Sequence, residues 1–376
     1  MTENRTSGPA WLVPAVNAMP SVHGVETAQE LVAAGITGLR MFHLNESPYP
    51  PSPRAVEAAA AELGALNRYP SAWGKPLAEA LAVHTGVAAE RIVIARGSAE
   101  LIEVATAITT LPGDDVVGPG PSFPGQMIAT KVRSANFVRV PLTAAGASDA
   151  DALLSALTNR TKLLWCCTPN PPAGGMMSAE ALERLAASTP ENVLLAVDEA
   201  YSEFGRAAGG PDALPILERR RGPWVILRTF SKAYGLSGLR VGYALCSTAE
   251  VASAFRKAMG FFHVTTPSLA AAKAALADQG HLQKTLKAVA GERDRLTEGL
   301  KRLGLSPIPS FANFVSVKMP FPAEEAAAEL EKRGILVRGW RDPKHLMEIR
   351  ITVGLPDDTD AVLLALAEIL KAKTPG

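Results

Sequence analysis

Lys232 follows the apolar run WVILRT (224–229) and stands among small residues in RTFSKAYGLSGLRVGYA (228–244). A lysine so placed is open to partial desolvation, which lowers its pKa and frees its lone pair for Schiff-base chemistry. By itself the position also fits a solvated loop lysine. The same segment supplies Thr229, Ser231 and Arg240, hydroxyls and a guanidinium suited to one phosphate group. Upstream, Asp198 ends the apolar run VLLAVD, and Tyr201 lies three residues on. A carboxylate there is either a cap for the next helix or a functional acid. Arg96-Gly97-Ser98-Ala99-Glu100 follows the run IVIA and opens a helical stretch. Free backbone N–H groups at such a start can hold an anion, and Ser98 also fits an ordinary N-cap. CTPNPPAGG (167–175) reads as a tight turn.

These segments need a frame that brings them together. The runs IVIA (92–95), DVVG (115–118), FVRV (137–140), KLLWCC (162–167), VLLAVD (193–198), WVILRT (224–229) and VGYALC (241–246) alternate with helix-like stretches such as 98–110 and 178–188. Continuous apolar strands alternating with helices predict a mostly parallel sheet covered on both faces. The chemistry then falls at strand ends, where open α/β sheets place ligands. Residues 53–66 read as a helix with proline at its start, and residues 1–45 as irregular, with Pro9, Pro14 and Pro20 breaking any early helix. After about residue 265 a long amphipathic stretch (268–303) leads to strands at 313–319, 335–338 and 348–353, with helices at 322–333 and 358–371. That order predicts a smaller α/β domain. The expected division is 1–45 joining the small domain, 46–265 large, and 266–376 small.

Composition excludes more than it names. The 376 residues are 47% hydrophobic and 20% charged, with 38 basic against 37 acidic side chains. A net charge of +1 argues against nucleic acid as a partner. No apolar run reaches membrane-spanning length, and Met-Thr-Glu-Asn-Arg-Thr lacks the pattern of a secretory signal, so the expected compartment is the cytoplasm. Cys166, Cys167 and Cys246 sit in apolar runs, as buried small hydrophobes do. Neither they nor the six histidines show metal-ligand spacing. His263, beside Phe261 and Phe262, fits either a pocket wall or a satisfied core histidine.

Taken in order, LNESPYPPSP (44–53), RYP (68–70), DEAYSEF, SKAYGLSGLRVG, SFANF (310–314) and IRITVG (349–354) resemble the fold-type-I pyridoxal-phosphate (PLP) enzymes. Within these, nearly the whole chain is similar to the aminotransferase family of histidinol-phosphate aminotransferase and its relatives. The resemblance implies a large domain with a seven-stranded, mostly parallel sheet plus a smaller α/β domain, with PLP between them. It implies that Lys232 forms the Schiff base and shuttles the proton, that Asp198 pairs with the pyridine nitrogen, and that Tyr201 hydrogen-bonds the ring oxygen O3′. It assigns the phosphate to Thr229, Ser231, Arg240 and the N–H groups of Ser98 and Ala99, and ring stacking to Phe123. Tyr69 matches a tyrosine that reaches the neighbouring subunit's cofactor phosphate, which implies a homodimer. Arg350 matches the arginine for the substrate's anion, with Arg338 as a second contact. The implied partners are an amino donor and a 2-oxo acid acceptor, exchanged by ping-pong kinetics.

Three departures bear on the substrate. Pro171 stands where the family has an asparagine that bonds O3′; Asn170 could replace it only if the loop shifts. With Tyr201 left as the main O3′ partner, the Schiff base is expected to have a raised pKa. The stretch VNAMPSVHGVE (16–26) lacks the tyrosine that helps histidinol-phosphate enzymes bind phosphate, and Ala99-Glu100 replaces an acidic pair. An amino acid is therefore at least as plausible a donor as histidinol phosphate. A PLP-dependent decarboxylase or oxidase is the alternative reading. A non-enzymatic regulator on the same fold would normally carry an added DNA-binding domain, and no basic helix-turn-helix segment precedes residue 45.

Overall fold

The computed structural model describes residues 12–19, 28–33, 35, 38–340 and 342–373. The tyrosine-lacking stretch at 16–26 lies mostly outside them. A two-residue strand, β1 (Arg40–Met41), comes first. The large sheet is built from β2 (Ile92–Ala95), β3 (Asp115–Pro119), β4 (Asn136–Val140), β5 (Thr161–Cys167), β6 (Leu194–Asp198), β7 (Trp224–Thr229) and β8 (Gly242–Cys246). Their order is β2-β8-β7-β6-β5-β3-β4. Only β8 runs against its neighbours, so the sheet is mixed but mostly parallel, as the alternating pattern predicts. Period-two alternation supplies a core on each face: Ile92 and Ile94 enter one apolar cluster, Val93 and Ala95 the other.

A second sheet is formed by β9 (Pro307–Ile308), β10 (Phe314–Lys318), β12 (Arg338–Gly339) and β13 (Glu348–Thr352), while β11 (Ile335–Leu336) pairs in parallel with β1. It has its own core, where Val315, Val317, Ile349 and Ile351 meet Phe42, Leu296 and Leu366. Among the described residues, no helix is long and apolar enough to cross a membrane.

Four expectations need correction. Pro14 opens a short helix, Pro14–Asn17, rather than breaking one, because a first-turn proline gives up an N–H that has no intrahelical partner. That helix lies against the helix Pro124–Val132, and a second early helix runs Ala28–Ala33. The stretch 268–303 is two helices, Thr266–Ala277 and Gln279–Arg302. Asp278 separates them: its carboxylate accepts from His281 N at 3.2 Å, and Ser52 Oγ donates to it at 2.6 Å. The run 335–338 is split between β11 and β12, and the helix at 53–66 ends at Ala61, a 3-10 turn continuing to Ala65.

Candidate active site

Asp198 and Thr229 end the central parallel strands β6 and β7, and Cys167 ends β5 beside Asp198 in register. Gly97 follows β2 and caps the helix Ser98–Thr109 with φ +76° and no side-chain bond. Ser98 is therefore the first helical residue and not the cap, so its N–H and that of Ala99 lie in the open first turn.

An anion cradle forms around this helix start. Thr229 Oγ1 donates to Ser231 Oγ at 3.0 Å, and Arg240 Nη1 donates to the same oxygen at 3.3 Å. Two glycines allow the close approach. A Cβ at Gly242 would lie 2.6 Å from Ser98 N, and one at Gly97 would lie 2.7 Å from Arg240 Nη2. Thr229 and Ser231 are buried, whereas Arg240 keeps an exposed flank.

Next to the cradle, Lys232 Nζ donates to the carbonyls of Leu44 at 3.1 Å and Asn45 at 2.9 Å. Burial, then nearby Arg350 and Arg240, push this ammonium down to about 7, with Glu46 opposing. A lysine near neutrality has its lone pair available for nucleophilic attack on a carbonyl carbon. The Asp198 carboxylate accepts from Ala200 N at 3.1 Å. Burial pushes it up to about 6, Glu199 adding to the shift and the Ala200 bond opposing it. A buried carboxylate in that condition is suited to a cationic partner. Tyr201 is buried, with its ring edge-on to Phe314 at 5.3 Å and Lys232 Nζ 5.9 Å from its centroid.

The second sheet brings the arginines. Cross-strand register places Arg338, Arg350, Ser316 and Ile308 in one row across β12, β13, β10 and β9. Arg350 Nη2 donates to the carbonyl of His43, its guanidinium lies 5.7 Å from the centre of the Phe314 ring, and its Nε is buried with no hydrogen-bond partner. Burial pushes Arg350 down to about 10, Tyr201 opposing and Arg338 adding to it.

Other expected positions vary. Phe123 caps the helix Pro124–Val132 and is 39% exposed, so it is not plain core. Tyr69 is 83% exposed and stacks on Phe262 at 4.7 Å. The His263 side chain is buried, its Nε2 3.0 Å from the Ile94 carbonyl and its Nδ1 without a hydrogen-bond partner among the described residues. The three cysteines are buried free thiols. Asn170 is fully buried, its Nδ2 donates to the Pro121 carbonyl at 3.0 Å, and its Oδ1 accepts from Ser122 Oγ at 2.8 Å. Sequence reasoning missed Asn45, whose Nδ2 donates to Tyr201 OH at 2.8 Å. Its one signal was membership of LNESPYPPSP.

A nucleophilic lysine, a buried acid and an anion cradle at the carboxyl ends of one sheet, faced by arginines from another, are what an enzyme acting on amino and oxo groups needs. The chain belongs to the class I and II aminotransferases, whose family model matches residues 41–366. It is 36% identical to histidinol-phosphate aminotransferase 2 of Caulobacter vibrioides, over 96% of each chain. It is 38% identical to an aromatic amino acid aminotransferase of Rhodococcus opacus, over 88% of this chain and 90% of that one. Its fold matches the crystal structure of histidinol-phosphate aminotransferase from Sinorhizobium meliloti in complex with pyridoxal-5′-phosphate, with a TM-score of 0.88 and 29% identity over 98% and 100% of the two chains.

The protein is thus a PLP-dependent aminotransferase acting on amino and oxo acids. Its residues fit that cofactor: a Cβ at Gly97 or Gly242 would crowd the cradle, and among the described residues no ion pair neutralises the buried Asp198 carboxylate. Among the described residues, no cluster of acidic, histidine or cysteine side chains could hold a metal ion.

Proposed function

We propose that this enzyme transfers an amino group from an amino acid to a 2-oxo acid in two half-reactions at one site, with Lys232 as the residue that binds PLP covalently and moves the proton. One observation carries the reading: Arg350 donates to the His43 carbonyl while Lys232 donates to those of Leu44 and Asn45. The anion-binding guanidinium and the reactive amine thus meet the same three-residue stretch. PLP, when bound, supplies an electrophilic carbon and an electron sink. Asp198 would hold the ring nitrogen, Tyr201 the ring oxygen, and Phe123 would stack on the ring. Thr229, Ser231, Arg240 and the N–H groups of Ser98 and Ala99 would hold the phosphate. Arg350, with Arg338 beside it, would fix the substrate's anion. The domain division proposed above is supported for 40–42 by the β1–β11 pairing and by Phe42 in the small core.

The test is to mix holoenzyme with each common amino acid and with histidinol phosphate while recording visible absorbance. An amino acid donor is expected to bleach the band and yield a 2-oxo acid. Release of carbon dioxide or peroxide instead would overturn the reading. Removing the guanidinium in Arg350→Ala deletes a charged hydrogen bond worth about 1.5–3 kcal/mol, so KM for the donor should rise roughly 10- to 150-fold. The adjacent Arg338 and Arg350 also suit a dianionic phosphate, which favours an amino alcohol phosphate as the second reading. The same screen decides between them.

The homodimer is also proposed. Its support is an exposed apolar patch on one face: Tyr69, Phe261 at 71% exposure, Leu66 at 64% and Phe262. Tyr69 would reach the partner's phosphate cradle. Mixing inactive Lys232→Ala with a weakened Tyr69→Ala protein should then restore part of the activity, since one shared site regains both residues. A monomeric mass in sedimentation would remove the proposal.

A further inference from the structure

We propose that Asn45 is a positioning residue that fixes the direction of the Tyr201 hydroxyl proton. This rests on the reading above that Tyr201 faces the cofactor's ring oxygen.

The argument follows donors and acceptors. Asn45 is buried, and its backbone has φ +53°, a region asparagine enters more readily than most residues. Its N–H donates to Thr352 Oγ1 at 3.0 Å. The threonine oxygen is thereby an acceptor on that side, and its own proton goes to Asn45 Oδ1 at 3.1 Å. With Oδ1 on the threonine side, Nδ2 faces Tyr201, at 2.8 Å. An amide nitrogen can only donate. Tyr201 OH is therefore the acceptor there, and its single proton is left to point elsewhere. Asn45 is itself anchored: its carbonyl accepts from Lys232 Nζ and from Asn313 Nδ2 at 3.1 Å.

Two further facts give this chain a purpose. Pro171 offers neither a side-chain donor nor an N–H, and the Asn170 amide gives one N–H to the Pro121 carbonyl while its oxygen accepts from Ser122. With Pro171 offering no donor, the direction of the Tyr201 proton matters more. Thr352 also lies two residues from Arg350 on β13, on the same face of the strand. The strand that carries the substrate's anion contact thus also orients the tyrosine.

A hydroxyl that donates to the ring oxygen stabilises the form that has lost its proton, which lowers the pH midpoint of the holoenzyme's visible band. The experiment titrates that band in wild type, Tyr201→Phe, Asn45→Asp, Thr352→Val and Thr352→Ser. Tyr201→Phe should raise the midpoint by about one unit, since it removes one hydrogen bond to an ionised oxygen. Asn45→Asp tolerates the same backbone but turns the donor into an acceptor, and should raise the midpoint at least as much. Thr352→Val introduces no charge and frees the amide to turn, so a smaller rise is expected; Thr352→Ser should stay at the wild-type value. An unmoved midpoint in Thr352→Val, with Tyr201→Phe shifted, overturns the proposal even if Asn45→Asp moves by charge alone or fails to fold. An unmoved Tyr201→Phe would sink the placement of Tyr201 instead.

Discussion

Lys232→Ala is expected to abolish transamination, with a loss of at least about four orders of magnitude, because the proposed covalent nucleophile and proton carrier are one amine. Borohydride reduction of wild-type holoenzyme should fix the cofactor to the peptide containing Lys232, and the variant should show no such peptide. Fixation elsewhere, or residual activity within tenfold of wild type, would reject the assignment. The variant also has a stability signature in the apoprotein. Burial holds the folded-state lysine at about 7 against an ordinary value of 10.5. Between those values the unfolded chain binds a proton that the folded chain has released, so stability rises with pH across this window. Removing the amine should flatten that rise, as denaturant melts between pH 7 and 10 would show.

Asp198→Asn keeps the shape of the side chain and removes its charge. With Asp198 as the partner of a buried cationic nitrogen, the loss leaves that cation unpaired, a cost of about 3–5 kcal/mol. This corresponds to roughly 10²- to 10⁴-fold in kcat. In the apoprotein the sign is opposite to that of lysine. The folded carboxyl holds its proton up to about 6 while the unfolded one loses it near 3.8, so this contribution to stability falls as pH rises through that interval. The asparagine variant should lack the fall. A kcat within threefold of wild type would mean that the carboxylate is not the ring's partner.

Much of this site is legible in the sequence because strand ends announce themselves. An apolar run that stops at a charged or hydroxylated residue marks the carboxyl edge of a buried strand. Asp198 and Thr229 were found in that way, and Lys232 follows by proximity. Ser98 was ambiguous because a cap and a first-turn anion site use the same residue types, and only the positive φ of Gly97 separates them. The partners of the Asn170 amide were not legible because the direction of an amide in a proline-flanked turn depends on a loop nearly fifty residues away in the chain. The break at Asp278 was hidden because its nearest breaker, Gly280, is tolerated inside a helical pattern, and the carboxylate acts through its cap to His281 and through Ser52 from a distant helix start.

By itself, the sequence determined which chemistry is possible: a lysine, an acid and phosphate-binding groups set at the ends of apolar strands, on a chain too evenly charged to attract a polyanion. The alternation of hydrophobicity is a local property, and so it also determined the mostly parallel sheet. The tertiary structure decided how Asn45, Tyr201 and Thr352 share a hydrogen-bond chain and why Arg338, Arg350 and Ser316 stand in one row. Those relations join segments up to 307 residues apart. Register between strands and the direction of a hydroxyl proton are set by pairing and packing across the fold, and no single segment carries either.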